Sequence, residues 1–218
     1  MASKPQPPRV DLSRFASVQD AIEKAEASFA RFVPLAKRIL VADQGNLHEP
    51  SIFMLSAVAR ATGLCAGVVH AVETENPHAA FPVLRSYADV VLVVRYVWHR
   101  PAYLPTALRG PKNLRPGDMK ARTSQAMISV VSAKAPGFAA AWDELSDMTH
   151  FGSLAIWNAW QLDTSAPAAN TLGRVNFATY PRWKTATDPL LVCGWLIELS
   201  DALSDTLEQM LEDWFRPQ

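Results

Sequence analysis

The segment over residues 188–214 limits the possible folds of this chain most strongly. Its large apolar residues recur at steps of three and four, and its acidic residues recur at similar steps on a different face. Thr187 or Asp188 is a suitable N-cap, and Pro189 suits the first helical turn. An amphipathic helix of this kind must bury its stripe against other helices or a second subunit. The stripe comprises Leu196, Leu199, Leu203, Leu207, Met210 and Trp214.

Most of the remaining chain also has helical patterns with recognisable start and stop signals. Ser17 can cap a helix over residues 18–42 that Pro34 should kink, and Ser51 can cap a second one to about residue 75. Asn76 and Pro77 begin a third helix. Residues 90–94 would also fit a buried strand, but the apolar segment that contains them is longer than a usual strand, so we prefer a helix. Further helices are predicted over residues 118–134 and 138–150, after a Pro-rich and Gly-rich loop over residues 101–118.

These patterns predict one all-α domain, an up-and-down bundle of helices over residues 14–218. A flexible Pro-rich arm is expected over residues 1–13. Turn residues and branched or aromatic residues predict an irregular insertion or a small β-hairpin near residues 153–182.

Composition favours a soluble cytoplasmic protein. The formal net charge of the 218 residues is zero, which removes a global electrostatic case for nucleic acid or anionic membrane. No apolar signal region begins the chain, and we predict no membrane partner. Cys65 and Cys193 have no Cys-x-x-Cys spacing and are expected to be buried free thiols in a reducing compartment.

The charges are unevenly distributed along the chain. Basic residues dominate residues 95–122, and residues 198–213 carry six acids and no base. The two runs could be solvated faces that oppose each other across the fold, or the basic strip could bind an anion such as a nucleotide or RNA. That strip comprises Arg109, Lys112, Arg115, Lys120 and Arg122, after Arg95 and Arg100.

Two polar clusters lie within the apolar helical sequence. Arg85 and Asp89 are four residues apart and share a helix face, either as a structural ion pair or as an arginine presented to a ligand with Asp89 fixing its guanidinium. Ser146 and His150 have the same spacing. His150 could stabilise a helix C-terminus, or it could act as an acid, base or ligand with Ser146 as its hydrogen-bonding partner.

Other motifs of defined chemistry are missing from the sequence. It contains no nucleophile elbow, P-loop or dinucleotide glycine fingerprint, so no cofactor is predicted. His70 and His78 match no common metal-ligand spacing, and no metal site is predicted.

The two clusters resemble motifs of certain uncharacterised bacterial all-α families. Residues 78–89 are similar to a helix with an Arg-Ser-x-x-Glu motif, with Asp89 in place of Glu. Residues 142–150 are similar to a Tyr-x-x-Leu-Ser-x-x-x-His motif, with Trp142 in place of Tyr. The resemblance covers roughly residues 50–215. Such families are sometimes compared with HEPN domains, which implies a HEPN-like bundle with a candidate site but no defined reaction.

Ribonuclease activity is not expected from this resemblance. HEPN ribonucleases have an Arg followed by four to six residues and then His, whereas Arg95 and His99 are separated by only three residues. We therefore predict a non-catalytic binding or interaction module, nucleotide-linked or acting in stress or phage defence, that forms a homodimer through a helical face. The alternative is an enzyme acting on a nucleotide or RNA phosphate, with His150 as acid or base and Arg85 as phosphate clamp.

Overall fold

Helices form the framework of the molecule, which confirms the predicted all-α class. The computed structural model describes residues 10–109, 124–135, 137–149, 160–163, 174–177 and 182–215. Short 3-10 helices occupy Leu12–Arg14 and Pro101–Tyr103. The α-helices are α1 (Val18–Ala30), α2 (Phe32–Ala42), α3 (Glu49–Glu73), α4 (Pro77–His99), α5 (Leu104–Arg109), α6 (Ser124–Ser132), α7 (Phe138–Thr149) and α8 (Asp188–Phe215).

Two four-residue strands lie in the region where we predict an irregular or hairpin insertion. Strand β1 (Trp160–Asp163) pairs antiparallel with β2 (Arg174–Phe177), so that Trp160 lies opposite Phe177 and Asp163 lies opposite Arg174. The rest of residues 153–181 lies outside the described residues.

The core is centred on α3, α4 and α8. Helices α3 and α4 pack against each other along much of their lengths, and α8 packs against α1, α2, α3 and α4. Leu196, Leu203, Leu207 and Met210 are completely buried, and Leu199 and Trp214 are partly buried. The predicted apolar stripe of α8 therefore lies in the core of this chain. The predicted helix through residues 90–94 is confirmed as part of α4.

The helical geometry is interrupted at Arg31, between α1 and α2, so the predicted kink at Pro34 is wrong. Pro34 is the third residue of α2. The first N–H groups of a helix have no intrahelical acceptor, and a proline there removes no hydrogen bond. Two separate helices thus replace the single kinked helix that we predicted over residues 18–42.

Helix α3 begins at Glu49, two residues before the predicted cap at Ser51. The buried Asp43 accepts a hydrogen bond from the His48 backbone N–H at 2.8 Å, and its other oxygen lies 2.5 Å from His48 Nδ1. Pro50 occupies the first helical turn, where its missing N–H costs nothing. Ser51 is therefore a fully buried residue of the helix rather than its cap.

The predicted loop over residues 101–118 is wrong for its first nine residues. They form the second 3-10 helix and α5, whose Leu104 is buried in the core. Pro101 lies in the first turn of the 3-10 helix, where proline is compatible with helical geometry. Residues 110–123 lie outside the described residues.

The predicted flexible arm over residues 1–13 is also too long. Val10 is buried, and Asp11 caps the first 3-10 helix by accepting a hydrogen bond from the Ser13 N–H. Val10 packs closely over Gly194 of α8. A Cβ atom added at Gly194 would lie only 2.2 Å from Val10 Cγ1. The glycine thus makes room for the start of the chain. Residues 1–9 lie outside the described residues.

Helix α3 is long and apolar enough, by length and composition, to cross a membrane. It packs against α1, α2, α4, α5 and α8, and its buried residues include Met54, Ala61, Cys65 and Val68. Core helices of soluble proteins pass the same test of length and composition, so this result is weak evidence for a membrane span.

Candidate functional site

The structure brings part of the two predicted polar clusters together. Arg85 lies on α4 and Ser146 on α7, and Arg85 Nε donates a hydrogen bond to Ser146 Oγ at 2.9 Å. The two residues are far apart in sequence, so this bond ties two helices together. Arg85 thereby satisfies its innermost donor within the fold.

Asp89 lies one helical turn beyond Arg85 on α4 and forms an ion pair with it. Arg85 Nη1 lies 2.6 Å from Asp89 Oδ1, but the contact lacks the angles of a hydrogen bond. The Arg85 side chain is only 12% exposed, whereas that of Asp89 is 50% exposed. Asp89 therefore neutralises a largely buried guanidinium from its solvent side.

Trp142 of α7 covers the Arg85 guanidinium. The Arg85 Cζ atom lies 3.2 Å from the centroid of the Trp142 ring, within the range of a cation–π contact. Trp142 is 5% exposed, and its ring centroid lies 6.0 Å from that of Phe138 on the same helix. Arg85 is thus held by a hydroxyl, a carboxylate and an aromatic face.

His150, predicted as acid or base, lies outside the described residues. The enzyme alternative requires His150 to lie near Arg85, and this proximity stays a prediction. The hydroxyl of Ser146, which we expected to serve His150, accepts the hydrogen bond from Arg85.

An apolar pocket of about 160 Å³ lies beside this cluster, between α4, the turn joining α6 to α7, α7 itself and α8. Its aromatic walls are Phe138, Trp142 and Trp195. Small residues, among them Ala141 and Ala202, leave the space between these rings. The Arg85 contact fixes one of the rings that shape the pocket.

Glu198 contributes a carboxylate to the pocket lining. The residue is exposed, yet partial burial raises the pKa of its carboxyl, and the positive charge of Arg14 acts in the opposite direction. Glu198 belongs to the run of six acids over residues 198–213. The spacing of Trp195, Glu198 and Ala202, three and four residues apart along α8, is the sequence signal that they share one face.

Two larger clefts are more open to solvent. One, of about 360 Å³, lies between α3, α4 and α5 and includes Arg60 and Asp89. The other, of about 390 Å³, includes Val18, Glu75 and Trp183. Each has only one aromatic residue in its lining, so we regard the pocket beside Trp142, which has three, as the stronger candidate site.

A buried polar cluster joins α3, α4 and α8. Tyr87 donates a hydrogen bond to Ser200 at 3.1 Å, and Cys65 Sγ lies 3.9 Å from the same hydroxyl oxygen. Burial raises the pKa of Cys65 to about 11 and also raises that of Tyr87. These groups stay neutral near pH 7 and pair with one another, as buried polar groups in a core do.

The acidic run of α8 meets cations from α2, from α4 and from Arg31, which lies between α1 and α2. Arg31 pairs with Asp201, and Arg38 pairs with Glu208 at 3.0 Å. Arg95 is partly buried, which lowers its pKa, while Asp205 acts in the opposite direction. The acidic face is therefore partly neutralised within the fold.

The basic strip is only partly described. Arg109 is exposed at the end of α5, and Lys112, Arg115, Lys120 and Arg122 lie outside the described residues. Near the end of α4, burial and then the positive charges of Lys134, Arg95 and Arg100 lower the pKa of His99. These effects place four basic side chains in one neighbourhood.

Within the described ranges, no group of three or more His, Cys, Asp or Glu side chains could hold a metal ion. His70 and His78 are both exposed.

Comparisons of the chain with protein-family models, curated proteins and solved structures give no match.

Proposed function

We propose that this chain is a non-catalytic binding module whose pocket against Trp142 receives a small apolar group. The observation that carries the proposal is the apolar pocket of about 160 Å³ with three aromatic residues in its lining. An apolar cavity of about 150 Å³ in another protein is large enough for benzene. A single ring or a branched aliphatic group therefore matches this space, whereas pockets for drug-sized ligands begin at about 300 Å³.

The contacts of Arg85 favour binding over catalysis. Its Nε donates to Ser146, Asp89 supplies a counter-charge, and the Trp142 ring covers one face of the guanidinium. A phosphate clamp needs donors that turn toward the ligand, whereas Arg85 directs Nε to Ser146 and Nη1 to Asp89. Arg85 instead acts as a positioning residue, because it holds the Trp142 wall of the pocket.

The test is an NMR titration of the full chain with benzyl alcohol, a ring of suitable size. We expect the indole N–H signals of Trp142 and Trp195, assigned with Trp→Phe variants, to shift to saturation. Ala141→Leu should abolish these shifts because the added carbons fill the pocket, and Ala202→Leu is a second filling variant on another helix.

Ala140→Leu is the matched control, since this neighbouring residue of α7 is not part of the lining. It should retain binding while making the same chemical change. The proposal fails if the indole signals do not move, or if Ala141→Leu, Ala202→Leu and Ala140→Leu all bind like the native chain.

The second candidate function is an enzyme that uses His150 as acid or base and Arg85 as phosphate clamp. It is favoured by the hydrogen bond from Arg85 to Ser146, which joins the helices of the two polar clusters. It predicts cleavage of labelled single-stranded RNA, or release of phosphate from a nucleotide, that is lost in both His150→Ala and Arg85→Lys. Such activity would overturn the non-catalytic assignment.

Other predictions from the sequence stay predictions. They are the HEPN-like family resemblance, the cytoplasmic location, a role in stress or phage defence, and RNA or nucleotide binding along the strip from Arg109 to Arg122. The homodimer also stays a prediction. Helix α2 exposes the large apolar side chains of Val33, Leu40 and Val41, so its outer face is the helical face on which to look for a dimer contact.

A further inference from the structure

Glu198 gives the pocket an asymmetric chemistry. It is the one ionisable side chain among the described residues of the lining, which otherwise consists of apolar and aromatic residues. Trp195, Glu198 and Ala202 follow one another at steps of three and four, so α8 presents an aromatic wall, a carboxylate and a gap on one face. A ligand in the pocket therefore meets apolar contacts at one end and an acceptor-only group at the other.

Among the described residues, no cation forms an ion pair with Glu198. In the described part of the chain it makes no ion pair within 4.0 Å, in contrast to Asp201 and Glu208 on the same helix. Arg14 acts on Glu198 only through its longer-range charge, because its Nη2 atom donates a hydrogen bond to the Gly194 carbonyl at 3.2 Å. The carboxylate beside the pocket is thus available to a ligand.

We propose that the ligand class of this pocket is the apolar primary amine, in which a single ring or branched aliphatic group fills the space and its ammonium group pairs with Glu198. This inference rests on the proposed function and adds the chemistry of the polar end. An ammonium group has three donors and a positive charge, which suit an acceptor-only carboxylate. Aromatic walls add to the attraction, since the face of an aromatic ring is negative and attracts cations.

The position of Arg85 is compatible with a cationic ligand. Its guanidinium lies over the Trp142 ring, and its charge is paired with Asp89. Arg85 is not part of the pocket lining. The pairing with Asp89 reduces the repulsion that a free arginine would exert on an ammonium group at Glu198.

The experiment compares benzylammonium with benzyl alcohol, which have the same ring and nearly the same size. Both are titrated into the full chain and into Glu198→Gln by NMR at neutral pH and constant salt. We expect benzylammonium to bind the native chain at least about tenfold more tightly, as a charge-assisted hydrogen bond implies. Glu198→Gln should remove that advantage, so that benzylammonium and benzyl alcohol bind this variant with similar affinities.

Glu26→Gln is the matched control, because it makes the same change in charge at an exposed position of α1 outside the pocket lining. It should keep the preference for benzylammonium. Equal affinities for the two ligands, or a preference that survives in Glu198→Gln, would overturn the amine inference and leave the proposed function standing. Failure of both ligands to bind would refute the proposed function itself.

Discussion

The Arg85 Cζ atom lies 3.2 Å from the centroid of the Trp142 ring, in a contact that joins α4 to α7. The same guanidinium donates to Ser146, one turn beyond Trp142 on α7. One arginine therefore fixes both the position of α7 on α4 and the orientation of the ring that forms a wall of the pocket. The two polar motifs of the sequence serve as the support of this pocket.

The first prediction concerns the coupling of Arg85 and Ser146. Ser146→Ala should lower the free energy of unfolding by about 1–3 kcal/mol, because it leaves a largely buried donor without its acceptor. In the Arg85→Met background the same change should have a much smaller effect. A double-mutant cycle by urea denaturation measures the coupling, and strictly additive effects would show that the bond contributes nothing.

The second prediction concerns Leu203, which is completely buried. Leu203→Asp should lower the free energy of unfolding by several kcal/mol, on the order of 4 or more, because it places an unpaired charge in the core. Gln209→Asp is the control, since it adds the same side chain at an exposed position of α8. Thermal melting compares the variants, and an unchanged midpoint for Leu203→Asp would contradict the burial of the stripe.

The third prediction concerns the pH dependence of the turn before α3. Burial is the largest single influence and acts to raise the pKa of Asp43, but the combined effects of His48 and Ser51 outweigh it, and the pKa is lowered overall. The stabilisation by the carboxylate is therefore complete above the unfolded-state pKa of about 3.9 and is lost as the pH falls through the lower pKa of the folded state.

Asp43→Asn tests this dependence. The difference in unfolding free energy between the native chain and the variant should decrease as the solution is acidified below about pH 4, where the carboxylate of the native chain takes up a proton. Urea denaturation at a series of pH values measures it. A difference that grows on acidification would have the wrong sign for a carboxylate with a lowered pKa.

The fourth prediction concerns the two thiols. Burial raises the pKa of Cys65 to about 11 and that of Cys193 to about 12, and both side chains are buried. Because the thiolate is the reactive form, neither should react with a thiol-specific disulfide reagent in the folded chain near pH 7. Both should react in denaturant, and rapid reaction of the native protein would contradict their burial.

Local patterns predict the fold well where a periodic stripe is long. The spacing of leucines in α8 and the Asn76 and Pro77 start of α4 both correspond to the structure. The boundaries near Arg31 and His48 depend on interactions that local patterns do not reveal. Asp43 accepts a hydrogen bond from His48 across a turn, and Val10, near the start of the chain, packs against Gly194 of α8.

Only the part of the candidate site that lies within one helix could be predicted from the sequence. Arg85 and Asp89 share one helix, so their pairing follows from sequence spacing. The bond from Arg85 to Ser146 and the ring contact with Trp142 require the packing of α7 on α4, which the sequence does not specify. The pocket depends on small residues from several helices and becomes visible only once these helices are placed together.

The most direct test of the account is a crystal structure of the full chain soaked with benzyl alcohol. We expect electron density for the ring of benzyl alcohol in the pocket between Trp142 and Trp195. Arg85 should still lie over the Trp142 ring and donate its hydrogen bond to Ser146. Ordered ligand density elsewhere with this pocket empty, or a pocket closed by the side chains of Phe138 and Trp195, would contradict it.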